Sequence, residues 1–199
     1  MATIQLKAAL AVAANTASGI NASGSTPITY SDTVWDDMQF PASPGQRGTR
    51  TKPDFDDTNI GWLMPQNDET EYISVSEQFS HKRKSATNIS PHIHFIQTSA
   101  SVPVFKMDYR WYDMGDAVPG SWTTIETDGT AALSYTSGSI INITPFSDIV
   151  GSDITGVSAW FEAKIYRKTG DGVSGDVLLK SFDIHYEIDG PGSASEYTK

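Results

Sequence analysis

The chain has 199 residues, which is enough for one domain with a substantial core, and its 38% hydrophobic content is too high for a disordered protein. Its 24 acidic residues outnumber its 14 basic residues, and the net charge of −10 argues against binding to a nucleic-acid backbone. The absence of cysteine excludes disulfides, thiolate metal sites and cysteine nucleophiles.

Residues 1–29 form a first compositional unit that is rich in Ala, Ser, Thr, Asn and Gly. The apolar run Ala8–Ala14 is too short to span a membrane and follows a single Lys, so we interpret it as part of an N-terminal arm and not as a signal peptide. Such a segment buries too little apolar surface to offset an ordering cost of about 1–2 kcal/mol per residue. We therefore predict that the arm becomes ordered only on a partner that covers its larger apolar side chains, which are Ile4, Leu6, Leu10, Val12 and Ile20.

All Trp, Tyr and Phe residues lie from Tyr30 onward, and residues 30–199 are predicted to form one domain. Pro41–Thr58 is rich in Pro, Gly, Arg and Asp, which predicts a long loop. The basic cluster His81–Lys84 is interpreted as a solvated loop. Seven later runs alternate apolar and polar residues and are predicted as strands: Glu71–Phe79, Ile89–Thr98, Val104–Asp113, Trp122–Thr127, Ser139–Thr144, Ser158–Lys168 and Leu178–Asp189.

Around eight short strands that each have one apolar face predict an all-β protein, an antiparallel β-sandwich or jelly roll. A closed barrel is the alternative. The apolar faces of two strands define the predicted core residues, which are Phe105, Met107, Tyr109, Trp111, Phe182, Ile184 and Tyr186.

The run Pro91–Phe95 contains two histidines, His92 and His94, which share one face of a strand at a spacing that suits one metal ion. If the last strand is adjacent, His185 supplies a third imidazole, and Glu162 or Glu187 a carboxylate. The pair is similar to the His-x-His of cupins, but the Glu that follows and the Gly that precedes the cupin motif are missing. We therefore favour histidines hydrogen-bonded on a polar sheet face, and we expect no metal, no cofactor and no catalytic residue. A cupin-like metal-binding enzyme remains the alternative.

Other catalytic patterns are weak. No Gly-x-Ser-x-Gly elbow occurs, and the paired carboxylates are sequence neighbours that point apart in an extended chain. The five tryptophans offer a different function, because exposed aromatic rings can line a carbohydrate-binding groove. Most of them are expected in the core or at a subunit interface. A carbohydrate-binding module is a further alternative.

Several motifs occur in a fixed order along the chain. They are Val34-Trp35-Asp36-Asp37, Pro91-His92-Ile93-His94, Asp183-Ile184-His185-Tyr186-Glu187 and the terminal Gly192-Ser193-Ala194-Ser195-Glu196-Tyr197-Thr198-Lys199. As an ordered set, they resemble a family of tailed-bacteriophage virion proteins, from about residue 30 to residue 199. The resemblance implies a shared structural role for His92, His94 and His185.

The resemblance implies a non-enzymatic virion protein on the exterior of the particle, of the capsid-decoration or fibre type. An acidic surface suits the outside of a particle better than its DNA-filled interior. The expected partners are further copies of the chain, as a homotrimer, and other virion proteins such as the major capsid, portal or tail proteins. We expect no nucleic acid and no membrane among the partners. A carbohydrate-binding module would then belong to a tail fibre.

Overall fold

The computed structural model describes residues 32–42, 53–156 and 158–190. These residues contain no helix and form ten strands: β1 (Val34–Pro41), β2 (Asp54–Asp56), β3 (Gly61–Met64), β4 (Ile73–Gln78), β5 (Ile89–Gln97), β6 (Phe105–Tyr112), β7 (Thr123–Glu126), β8 (Gly138–Pro145), β9 (Trp160–Arg167) and β10 (Val177–Ile188). It follows that this part of the chain has no helix able to cross a membrane. The predicted arm, with Ile4, Leu6, Leu10, Val12 and Ile20, and the terminal motif from Gly192 onward lie outside the described residues.

The strands form two antiparallel sheets. The first sheet has the order β2-β3-β10-β5-β8, with β1 also paired to β10, and the second has the order β4-β9-β6-β7. Strand β10 has 12 residues, so one of its edges pairs with β5 while its other edge pairs first with β3 and then with β1. This places β1 and β5 on opposite sides of the same strand.

The last eight strands pair as one long hairpin that has been rolled up. Strand β3 pairs with β10, β4 with β9, β5 with β8 and β6 with β7, and these pairs alternate between the two sheets. That pairing is the jelly-roll arrangement of a β-sandwich. The predicted all-β fold class is therefore confirmed.

All seven strands predicted from alternation are present, with ends that shift by at most a few residues. Strands β1, β2 and β3 were not predicted. Strand β2 lies inside the predicted loop Pro41–Thr58, where three residues of a Pro- and Gly-rich stretch gain a partner in β3. That prediction was wrong for β2, because pairing across a short turn overrides a local composition typical of loops.

The core lies between the two sheets and contains most of the predicted residues. Phe105, Met107, Phe182 and Ile184 are fully buried, and Tyr186 is nearly so. Tyr109 and Trp111 are only half-buried and pack against this core. The indole of Trp111 contacts the Phe79 ring and a guanidinium group, and it packs against the core instead of lying within it.

The basic cluster His81–Lys84 is only in part the solvated loop that its composition predicted, because Lys82 and Lys84 are exposed but Arg83 is not. Arg83 has no exposed surface, and its Nη2 donates hydrogen bonds to the backbone carbonyls of Ile154 at 3.0 Å and Gly156 at 2.7 Å. Its guanidinium also lies 5.6 Å from the centre of the Trp111 ring. A buried cation is tolerated here because carbonyl oxygens and aromatic faces replace its water.

Candidate functional site

Three of the motifs lie on neighbouring strands of the first sheet. Strand β1 carries the Trp-Asp-Asp motif, β10 the Asp-x-His-Tyr motif and β5 the Pro-His-x-His motif. Their outward-facing side chains form one continuous surface, which we call the histidine face: Trp35, Asp37, His92, His94, Asp183 and His185.

Strand alternation and register build this face. On β5 and β10 the residues that alternate with the histidines point into the core, so the polar side chains must point outward. The antiparallel register then sets Asp183 directly opposite His92, and Asp37 directly opposite His185. The condition under which His185 was expected to join the pair, an adjacent last strand, is therefore met.

Three atoms converge at the centre of the histidine face. Nε2 of His94 lies 3.0 Å from Oδ2 of Asp183 and 3.1 Å from Nε2 of His92. Nε2 of His92 lies 3.8 Å from the same carboxylate oxygen. His92 and Asp183 are buried and His94 is partly so, and Oδ1 of Asp183 is buried without a hydrogen bond from any described residue.

The shifted pKa values of the two buried groups favour an anionic Asp183 beside a neutral His92. Burial alone would raise the pKa of Asp183, but the hydrogen bond from His94 and the imidazoles of both histidines hold it below its ordinary value. Burial lowers the pKa of His92, and the neighbouring His185 and His94 lower it further. A carboxylate and a neutral imidazole are the forms in which these side chains bind metals.

His185 belongs to the face but not to the central cluster. Its ring centre lies 4.4 Å from that of His92, while its Nε2 lies 2.8 Å from Oδ1 of Asp37 on β1. On the opposite, core-facing side of the same two strands, the Tyr186 hydroxyl donates a hydrogen bond to Asp36, and burial together with that carboxylate raises the pKa of Tyr186 to about 12. These contacts join β1 to β10.

A cleft of about 310 Å³ opens over the cluster. Its floor is formed by the histidine face without Trp35. Its wall is formed by apolar residues of β8 and of the segments on either side of that strand, namely Ala132, Ile143, Pro145 and Phe146. The three converging atoms are therefore reachable by an ion or a small group while their surroundings remain largely apolar.

The carboxylates that were suggested from the sequence do not reach the histidines. Glu162 lies on the second sheet, where it receives a hydrogen bond from Arg110 at 2.5 Å. Glu187 pairs with Lys84 at 2.7 Å. The carboxylate of the cluster is instead Asp183, which the alternation of β10 already placed on the same face as His185.

Comparison with known proteins yields little. No protein-family model and no curated protein matches the chain. Among solved structures, the chain is similar to one described as Eiger TNF from S. frugiperda, at 10% identity over 81% of this chain and 98% of that chain, with a TM-score of 0.27. At that TM-score the similarity supports no inference about function.

Proposed function

We propose that this chain is a non-enzymatic structural protein on the exterior of a tailed-bacteriophage particle, of the capsid-decoration or fibre type. It assembles with further copies of itself as a homotrimer, and it attaches through its N-terminal arm to the major capsid protein or to portal or tail proteins. The observation that supports this proposal best is the convergence of three motifs on the histidine face.

The convergence matters because the motifs are far apart in sequence. Asp37, His92 and His185 come from three separate segments, yet they occupy three neighbouring strands. Unrelated matches to short patterns would have no reason to meet in space. Their contact supports treating the motifs as one unit, and hence the resemblance to virion proteins from which the proposed role is taken.

The charge of the chain supports an exterior location. A net charge of −10 is repelled by packaged DNA, whereas it is compatible with a surface in contact with solvent.

Quantitative mass spectrometry of purified particles tests the proposal. We expect the protein in gradient-purified particles of the phage that encodes it, at a fixed copy number that is a multiple of three. An antibody to the folded domain should label intact particles. Absence from purified particles, or labelling only after disruption of the particles, would contradict the proposal.

A second candidate function is favoured by the position of Trp35. This residue is the most exposed of the five tryptophans, with 52% of its surface accessible, and it lines a cleft together with Asp37, Gln39 and His185. An exposed indole beside polar groups is the arrangement on which sugar rings stack, as in a carbohydrate-binding module of a tail fibre.

Glycan-array binding separates this candidate from the first. If the histidine face binds a glycan, Trp35→Ala abolishes the signal. Trp160→Ala is the matched control, because Trp160 lies on the second sheet with its Nε1 bonded to Ser76. No signal from the parent protein, or equal loss in both variants, would remove the carbohydrate function.

A further inference from the structure

We propose that His92, His94 and Asp183 bind one divalent transition-metal ion, best matched by Zn²⁺, and that this ion links strand β5 to strand β10. The inference is independent of the proposed role in the virion. It departs from the expectation of a metal-free histidine pair, because the sequence did not reveal the third ligand, Asp183.

The spacing of the three ligand atoms matches that of a bound ion. The sides of the triangle formed by the His92 and His94 Nε2 atoms and Asp183 Oδ2 measure 3.1, 3.0 and 3.8 Å. The point in the plane of the three atoms that is equidistant from them therefore lies about 2.0 Å from each atom. Zn–N and Zn–O bonds measure ~2.0–2.2 Å, so an ion at this point or slightly above the plane can bind all three atoms. Bonds of that length in a tetrahedral site separate neighbouring ligand atoms by about 3.3 Å, the mean of the three observed distances.

Hydrogen bonds among His92, His94 and Asp183 do not use all the lone pairs on their nitrogen and oxygen atoms. A neutral imidazole carries one ring proton, so the single proton on His94 Nε2 cannot fully satisfy both Asp183 Oδ2 and His92 Nε2. The lone pairs that remain on these nitrogen and oxygen atoms are therefore free to bind an ion.

The ligand types select the class of metal. Two imidazoles and one carboxylate suit Zn²⁺ and related transition metals, whereas Ca²⁺ and Mg²⁺ prefer sites made of oxygen atoms only. His185 is outside the ligand set, because its Nε2 faces Asp37. The fourth position of a tetrahedral ion therefore opens into the cleft over the histidine face, where water completes the coordination.

Titration of the full chain with Zn²⁺ after chelator treatment and dialysis tests the site. We expect one equivalent to bind and the melting temperature to rise with free Zn²⁺, because an ion that binds only the folded state stabilises it. His94→Ala and Asp183→Asn should each weaken binding by more than about 100-fold, since even partners outside the ligand set cost 10–100-fold, and should abolish the rise in melting temperature. Co²⁺ in place of Zn²⁺ should give the intense visible absorption of a tetrahedral ion.

Two control variants locate the site. His81→Ala removes a histidine that contacts Ser158 at 2.7 Å, away from the cluster, and should bind Zn²⁺ like the parent. His185→Gln should keep the stoichiometry and the tetrahedral Co²⁺ spectrum. Failure of the parent to bind one equivalent, unchanged binding by His94→Ala and Asp183→Asn, or loss of binding in His185→Gln alone would each overturn the proposal. If a ligand variant fails to fold, X-ray absorption spectroscopy of the Zn²⁺-loaded parent tests the site instead. We expect the ion to be surrounded by nitrogen and oxygen ligands that include two imidazoles, and any other set of ligands would overturn the proposal.

Discussion

Nε2 of His185 on β10 lies 2.8 Å from Oδ1 of Asp37 on β1. Both side chains are substantially exposed, and an exposed ion pair contributes only about 0–1 kcal/mol to stability. The contact is therefore better understood as fixing register. A shift of β1 by one residue would turn Asp37 inward and separate the two motifs that meet on the histidine face.

Replacement of the buried guanidinium should destabilise the fold. Arg83→Met leaves the Gly156 carbonyl oxygen without this donor, at about 1–3 kcal/mol, and removes one of the two hydrogen bonds to the Ile154 carbonyl oxygen, which also accepts from the Ala86 amide, at about 1 kcal/mol. We therefore expect a loss of about 2–4 kcal/mol in the free energy of unfolding. Lys82→Ala, one residue away and largely exposed, should change it by less than about 0.5 kcal/mol. Urea denaturation measures both, and equal stability of the two variants would refute the buried role of Arg83.

The stability lost when an aromatic residue is replaced by Ala should increase with the depth of that residue in the core. Phe182 is fully buried between the sheets, so Phe182→Ala should cost about 3–5 kcal/mol. Trp111 is half-buried and packs against the core, so Trp111→Ala should cost less, about 3 kcal/mol. Thermal melts monitored by circular dichroism give the order, and a Phe182→Ala protein that melts like the parent would contradict the sandwich core.

A buried ion pair should make stability depend on pH in the acidic range. Burial alone would raise the pKa of Asp171, but hydrogen bonds from the Arg167 guanidinium and the Val173 amide hold it below its ordinary value. A depressed pKa in the folded state contributes stability that is complete above the unfolded pKa of about 3.9 and is lost as the pH falls through the folded pKa.

The variant Asp171→Asn isolates this contribution. Because it leaves the Arg167 charge buried without its partner, we expect it to lower the free energy of unfolding by about 3–5 kcal/mol at pH 7. The gap from the parent should narrow as the pH falls below about 4, because Asp171 of the unfolded parent then takes up a proton, and it should be smallest once the pH is below the lower folded pKa. Asp57→Asn, at an exposed turn, is the control and should behave like the parent. A gap that stays constant from pH 7 to pH 3 would rule out this linkage.

The strands were predictable to the extent that they are long and have one face in the core. The alternation of Phe182, Ile184 and Tyr186 with Asp183 and His185 needs no tertiary information, and the structure reproduces it. Strand β1 was missed because Asp36 interrupts the apolar side of its alternation, and its carboxylate is tolerated there as the acceptor of the Tyr186 hydroxyl. Strands β2 and β3 are too short to show a period.

The candidate site was only half predictable. The two histidines of β5 could be placed on one face from their spacing alone, as could Asp183 and His185 on β10. The register that sets Asp183 opposite His92 depends on pairing between segments about 90 residues apart, which no local pattern encodes. Arg83 illustrates the opposite error, since a basic tetrapeptide typical of a solvated loop supplies a buried side chain.

The arm should contribute to attachment and not to the fold. We expect a chain that begins at Tyr30 to keep its β-sheet spectrum and to melt close to the parent, because the described sheets and core are built from residues 34–188. It should bind markedly less to particles produced without the gene, as measured by co-sedimentation. The full chain with Ile4, Leu6 and Leu10 replaced by Ser should show the same defect, and full decoration by either protein would contradict the attachment role.

We propose above that this chain forms a trimer on the outside of a phage particle. Cryo-electron microscopy of purified particles, compared with particles from which the gene has been deleted, tests it most directly. We expect difference density outside the capsid or tail into which three copies of the described β-sandwich fit around a threefold axis. Identical maps, or difference density inside the shell against the DNA, would contradict it.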